Sequence, residues 1–107
     1  MNEILILSTT DSLDRARGIA AALVEAGEAA CVNIVPGIQS IYRWEGKLCD
    51  ESEALLLVKS TAARFEDVRA RIRQLSSYQI PEVIAVPIAL GDAEYLHWLG
   101  EQVRRKD

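Results

Sequence analysis

Two long β-strands joined by a tight turn are encoded by the stretch AACVNIVPGIQSIYRW (residues 29–44), EG (45–46) and KLCDESEALLLVK (47–59). In both outer segments, β-branched, aromatic and other apolar residues either alternate with polar ones or follow one another, which is typical of strands. Glu45-Gly46 is typical of a turn. Pro36-Gly37 interrupts the first segment and predicts a bulge or bend. The stretch therefore predicts a β-hairpin.

The residues before and after the hairpin predict two helices and two more strands. Four consecutive apolar residues within residues 3–9 indicate a central strand that is buried on both faces. A helix follows it, and Ser60 and Thr61 are predicted to cap a second helix after the hairpin. Residues 82–89 form a β-branched run that contains Pro87, which belongs on a sheet edge because proline cannot donate to the ladder.

The resulting order β-α-β-β-α-β, with a last helix after Gly91-Asp92, predicts the α+β class. We expect a ferredoxin-like antiparallel sheet with the helices on one face, the first and third strands inside and the second and fourth outside. No linker or low-complexity segment interrupts the chain, so residues 1–107 are predicted to form a single domain.

The length of the hairpin predicts self-association. Its first strand, at about 15 residues, would span about 50 Å, whereas the strand within residues 3–9 is about half as long. Much of the hairpin must extend past the sheet, and an exposed apolar edge invites aggregation unless another chain covers it. The predicted interface residues are Ile38, Ile41, Tyr42, Trp44 and Leu48.

The composition argues against several classes of partner. The net charge of −4 gives no general attraction to nucleic acid or anionic lipid, and no apolar stretch approaches the length of a membrane helix. The chain begins without a basic region before its first apolar run, so we expect a cytoplasmic protein. The two cysteines, Cys31 and Cys49, lack Cys-x-x-Cys spacing and are predicted to be free thiols.

Several segments of the chain carry a family resemblance. They are residues 30–37, 40–47, 56–61, 78–84 and 91–92, together with Tyr95-Leu96 and Trp98. These segments closely resemble the CutA divalent-cation tolerance family. The resemblance implies a cytoplasmic homotrimer of ferredoxin-like subunits packed through their long hairpins. It also implies a role in tolerance of copper and other divalent metals and no established enzymatic reaction.

The chain departs from that family where metal ligands are expected. Family members commonly have His-Pro-Tyr where this chain has Ser76-Ser77-Tyr78, and some have a second histidine at the position of Leu75 and a cysteine at that of Ser8. Serine and leucine are poor ligands for copper or zinc. The sequence therefore does not predict a copper or other divalent-metal site made of the family's usual ligands.

Four residues form the predicted ligand-binding cleft: Cys31, Lys59, Tyr78 and Glu82. Lys59 and Glu82 are charged residues at the ends of strands near the loop that holds Tyr78, although a solvated strand end would explain Lys59 equally well. Cys31 is the best remaining soft ligand, and simple packing is the alternative interpretation. The single histidine, His97, is expected at the surface or in packing.

No motif in the sequence indicates a reaction class. The chain has one histidine, no Gly-rich phosphate loop and no recognisable nucleophile-base set. We therefore expect a trimeric binding or homeostasis protein that is not an enzyme. The sequence assigns it no cofactor, and copper or another divalent metal is the candidate that the family resemblance offers. The alternatives are a metabolite-sensing module of the trimeric ferredoxin-like type and, last, a small enzyme with Cys31 as nucleophile.

Overall fold

The predicted hairpin is formed by β2 (Cys31–Trp44) and β3 (Lys47–Thr61). The computed structural model describes residues 2–103, and in it the two strands pair antiparallel with Tyr42 opposite Cys49. Glu45 and Gly46 form the turn with positive φ angles of 49° and 79°. Two consecutive left-handed residues are the hairpin turn that matches the twist of the strands.

A β-bulge interrupts β2 where the sequence predicts it. The pairing of β2 with β3 shifts between Val35 and Ile38, and Gly37 there has a φ of 70°. Glycine adopts this left-handed backbone at no steric cost, so the Pro36-Gly37 pair places the irregularity at this point.

Four strands form one sheet in the order β2-β3-β1-β4. The other elements are β1 (Glu3–Thr10), α1 (Leu13–Glu25), a 3-10 turn (Ala62–Arg64), α2 (Phe65–Leu75), β4 (Ile84–Pro87) and α3 (Ala93–Gln102). The two inner strands are β1 and β3, and Pro87 lies in an edge strand, as predicted. The ferredoxin-like α+β prediction is therefore confirmed.

The main core lies between one face of the sheet and the helices α1 and α2. Ile6, Leu56 and Val58 point from the sheet into this core and are completely buried. Ile19 and Leu23 of α1 and Val68 and Ile72 of α2 meet them. A smaller cluster, in which Leu99 of α3 packs with Ala30 and Val103, covers the end of the sheet. We call the sheet surface under α1 and α2 the helix-covered face.

The opposite surface of the sheet is incompletely covered within one chain. Strand register places these apolar residues on it: Leu5, Leu7, Leu55, Leu57, Ile84 and Val86. The four leucines are half-buried, whereas Ile84 and Val86 are 52% and 44% exposed. The expectation that β1 is buried on both faces is therefore wrong for the single chain, because α1 and α2 cover one face only. We call these six residues the open face.

The hairpin extends past the sheet, as its length predicts. β1 pairs with residues 54–61 of β3 and leaves residues 47–53 with β2 as their only paired neighbour. We call residues 38–53 the arm. Its overhang spans about 23 Å, and the predicted interface residues Ile41 and Leu48 are 67% and 73% exposed there.

Two further details of the sequence prediction are wrong. Ser60 and Thr61 still belong to β3, and α2 begins at Phe65 after the 3-10 turn, without a side-chain cap. The Ser60 hydroxyl instead donates to the backbone oxygen of Glu28, 2.6 Å away. β4 is also shorter than the predicted run of residues 82–89. Among the helices that the structure describes, none has the length and hydropathy to cross a membrane.

Candidate functional site: a cleft at the base of the arm

A cavity of about 620 Å³ lies where the arm leaves the sheet. Its aromatic lining consists of Tyr42 and Trp44 from the arm and Tyr78 from the loop between α2 and β4. The carboxylates of Glu53 and Glu82 also line it. Its remaining lining residues are Thr9, Ser40, Ile41, Ser77, Gln79 and Ile80. We call this cavity the cleft.

The loop of residues 76–83 is held in place by contacts with the start of α1. The Ser77 hydroxyl donates to Asp11 over 2.9 Å. Arg15 pairs with the same carboxylate at 3.0 Å and also donates to the backbone oxygen of Leu75, again over 3.0 Å. The Ser77 hydroxyl, and secondarily Arg15, lowers the pKa of Asp11. These contacts fix the loop against the helix layer and direct Tyr78 towards the arm.

Tyr78 and Glu53 connect the loop to the arm. The Tyr78 hydroxyl donates to Oε2 of Glu53, and Glu53 is only 8% exposed. Burial, followed by the hydrogen bond to Glu53, raises the pKa of Tyr78. The phenol therefore stays protonated at physiological pH and acts as the donor in this pair.

The cleft is negatively charged. Glu53 and Glu82 carry its charge, and none of the described residues that line it is Lys, Arg or His. Desolvation raises the pKa of Tyr42, with further contributions from Cys49, Glu51 and Glu53. Carboxylates that disfavour a phenolate also disfavour any anionic ligand at the same place.

The four predicted cleft residues occupy two places in one chain. Tyr78 and Glu82 line the cleft. Cys31 and Lys59 are partners across β2 and β3, and Lys59 lies six residues along β3 from Glu53, or about 20 Å. Within one chain the structure therefore brings the predicted residues together as two pairs.

Lys59 has its own partners at that second place. Its ammonium group donates to the side-chain oxygen of Asn33 over 2.5 Å. The same group lies 5.9 Å from the centre of the Tyr95 ring of α3, within the range of a cation–π contact. Cys31, half-buried, stands opposite Lys59 and is a free thiol.

Within residues 2–103 of one chain, the usual metal-ligating side chains are not gathered into a cluster. No group of three or more His, Cys, Asp or Glu side chains among them is placed to hold a metal ion. Ser8 is completely buried on the helix-covered face, and the Ser76 hydroxyl accepts a hydrogen bond from the Tyr78 amide over 3.0 Å. His97 lies at the surface, with its side chain 76% exposed and 3.4 Å from Glu101.

The fold and the sequence agree on the family. The model of the CutA1 divalent ion tolerance protein family matches residues 4–102. The chain belongs to this family. It is 52% identical over 99 residues to the divalent-cation tolerance protein CutA of Thermus thermophilus, covering 92% of this chain and 96% of that protein.

Other CutA proteins show how widely the fold occurs. The chain is 40% identical over 101 residues to the chloroplastic CutA of Arabidopsis thaliana, covering 94% of this chain and 56% of that protein, and so spans little more than half its length. A solved structure described as the periplasmic divalent cation tolerance protein CutA of Archaeoglobus fulgidus superposes with a TM-score of 0.92 at 39% identity, covering 95% of this chain and 99% of that one.

Sequence reasoning missed Glu53, the most buried carboxylate of the cleft. Glu53 ends the polar run of residues 50–53, which reads as the solvated edge of a strand. A signal was available in the alternation of β3, since Glu53, Leu55 and Leu57 must share one side of the sheet. That alternation places Glu53 on the side of the open face, next to the incoming loop.

Proposed function

We propose that this CutA family member acts in tolerance of divalent cations, copper among them, as a cytoplasmic homotrimer that works by binding and not by catalysis. The observation that carries the proposal is the apolar surface left uncovered by one chain, together with a built cleft beside it.

The open face and the arm support assembly. A monomer rarely exposes a large contiguous apolar patch, and here a partly bare sheet face continues into an arm with exposed Ile41, Trp44 and Leu48. Neighbouring subunits that packed on this surface would bury it and would also cover the edge of the overhanging strands. In such a trimer the arm brings the cleft to a subunit boundary.

The cleft supports a binding role. A cavity of this size, with aromatic walls and a few fixed polar groups, suits a small ligand. Catalysis by acid-base chemistry has little support among the described residues, because the exposed His97 is not among the residues that line the cleft and Tyr78 is held as a donor to Glu53.

Direct metal binding would need donors from more than one chain. The half-buried thiol of Cys31 is the softest available donor and suits copper. The proposed site therefore includes Cys31 and Lys59, as the half of an intersubunit cleft that faces Tyr78 and Glu82 of a neighbouring subunit. The free thiols of Cys31 and Cys49 accord with a reducing, cytoplasmic compartment.

Light scattering and calorimetry test the proposal. We expect the mass of three subunits at micromolar concentration, and saturable binding of Cu²⁺ or Zn²⁺ that Cys31→Ala abolishes and Cys49→Ala preserves. A stable monomer would overturn the assembly. Absence of binding of either ion would remove direct metal binding and leave an indirect role in tolerance.

A metabolite-sensing role is the second candidate. The cleft favours it, since the contacts of the loop with Asp11 and Arg15 organise its lining within a single chain. A thermal-shift screen of small metabolites would separate the two roles. Because the lining of the cleft is negatively charged, we expect that nucleotides will not stabilise the protein in this screen.

A further inference from the structure

We propose that the cleft binds a small organic cation, an ammonium group carried on an apolar body. This inference rests on the proposed binding role and names the class of ligand that the cleft would take. The charge of the lining, its aromatic rings and its size point to this class.

The charge of the cleft selects a cation. Glu53 is more than nine-tenths buried and presents a carboxylate to the cavity, and Glu82 adds a second one. Tyr78 donates one hydrogen bond to Glu53, but an ionised carboxylate has about four acceptor positions. A buried negative charge is costly unless it is paired, so a cation in the cleft would offset that cost.

The rings select an organic cation over a bare metal ion. Tyr42, Trp44 and Tyr78 line the same cavity as the carboxylates. The face of an aromatic ring attracts an ammonium group, most strongly for Trp, and it contacts the apolar carbons attached to the nitrogen. A divalent metal ion prefers several oxygen, nitrogen or sulfur donors, and residues 2–103 gather no such cluster of three.

The size and position of the cleft fit a small molecule. Its volume of about 620 Å³ lies within the range of about 300–1,000 Å³ that ligand pockets occupy. Trp44 and Tyr42 are 40% and 41% exposed, so one side of the cleft is open in the single chain. Packing of a neighbouring subunit against the arm would close that side and exclude water from the bound cation.

Trp44 provides a direct reporter of binding. The chain has two tryptophans, and Trp98 lies on α3 outside the cleft lining. In the full chain carrying Trp98→Phe, the remaining fluorescence comes from Trp44. We expect choline and n-butylammonium to change this fluorescence saturably. The uncharged isostere of choline, 3,3-dimethylbutan-1-ol, is expected to bind at least about tenfold more weakly.

Three carboxylate variants in the same background test the role of charge. Glu53→Gln keeps an acceptor for Tyr78 and removes the charge, and we expect choline to bind about tenfold more weakly or worse. Glu82→Gln is expected to weaken binding by a smaller factor, because Glu82 is exposed. Glu25→Gln, an equal change in net charge at the exposed end of α1, should leave binding unchanged.

The outcomes separate this inference from the proposed function. Equal binding of choline and its uncharged isostere, no binding of either ammonium probe, or an unchanged affinity in both Glu53→Gln and Glu82→Gln would overturn the organic-cation assignment. If Glu53→Gln fails to fold, as circular dichroism would show, Glu82→Gln alone decides. Subunit mass and Cu²⁺ calorimetry on the same samples report on the proposed function independently.

Discussion

The two faces of the sheet are formed by the same strands and differ in what covers them. On β3, Leu56 is completely buried under the helices, whereas Leu57, the next residue, lies on the open face and is only half-buried. The arm extends this contrast, since Ile41 is 67% exposed at the far end of β2.

This difference distinguishes the apolar surface that one chain buries by itself from the apolar surface that only another chain could bury. The helix-covered face packs against α1 and α2 and forms a buried core with them. Each fully buried aliphatic side chain stabilises the fold by about 1.5–3 kcal/mol. The open face and the arm gain much less from burial within one chain. Their apolar residues are therefore better explained by association than by the stability of the subunit.

The largest effect should come from the helix-covered face. Leu56→Ala removes a completely buried side chain, and we expect the free energy of unfolding to fall by about 2–5 kcal/mol because a cavity is left in a packed core. Urea unfolding followed by circular dichroism, at one protein concentration, measures the loss.

Leu90→Ala is the matched control for Leu56→Ala. Leu90 is 91% exposed in the loop before α3, so its replacement should change the free energy of unfolding by less than about 0.5 kcal/mol. Comparable losses in the two variants would mean that burial under the helices is not what stabilises the subunit.

A smaller effect, on assembly and not on folding, is expected from the arm. Ile41→Lys replaces an apolar side chain that the proposed trimer would bury, which removes about 2 kcal/mol of burial per subunit and places a charge in the contact. Light scattering should show a shift from trimer to monomer at micromolar concentration, with the circular dichroism spectrum preserved.

Val24→Lys controls for the added charge and the lost apolar surface. Val24 is 44% exposed on α1, away from the open face and the arm. Its replacement should leave the subunit mass unchanged. An unchanged mass in Ile41→Lys would contradict the assignment of the arm to the interface.

The sequence predicts the sheet because its signals are local. Pro87 predicts an edge strand, Glu45-Gly46 predicts the turn, and Gly37 follows the proline that predicts the bulge. In each case a proline, a glycine or a turn pair restricts the backbone at its own position, so the local structure depends only on residues that are close in sequence. The overhang also follows from counting residues along the two strands.

The cleft was harder to predict because it depends on contacts between distant residues. Glu53 and Tyr78 are 25 positions apart and meet only once the loop of residues 76–83 is held against α1. Ser60 shows the same limitation, since it looks like a helix cap but donates to the backbone of Glu28. A side chain that satisfies a tertiary hydrogen bond leaves no periodic signal in the sequence.

The smallest effect concerns the hydrogen bond between Ser77, in the loop beside the cleft, and Asp11, at the start of α1. Ser77→Ala removes the hydroxyl that donates to Asp11, so the pKa of Asp11 should rise from its lowered value towards the ordinary value of about 3.9. Because a lowered folded-state pKa stabilises the fold only while the carboxyl is ionised, the contribution is full above about pH 4 to 5 and is lost as the pH falls through the folded-state pKa.

Two measurements check this hydrogen bond. The Asp11 side chain is 42% exposed, and screening by water should limit the loss in Ser77→Ala at pH 7 to about 0.2–1 kcal/mol. NMR titration of the Asp11 carboxyl gives the pKa directly, and Ser52→Ala, an exposed serine of the arm, is the control. A loss in Ser77→Ala that persists undiminished at pH 2 would show that Ser77 holds the loop by packing, and that the charge of Asp11 does not link the helix layer to the cleft.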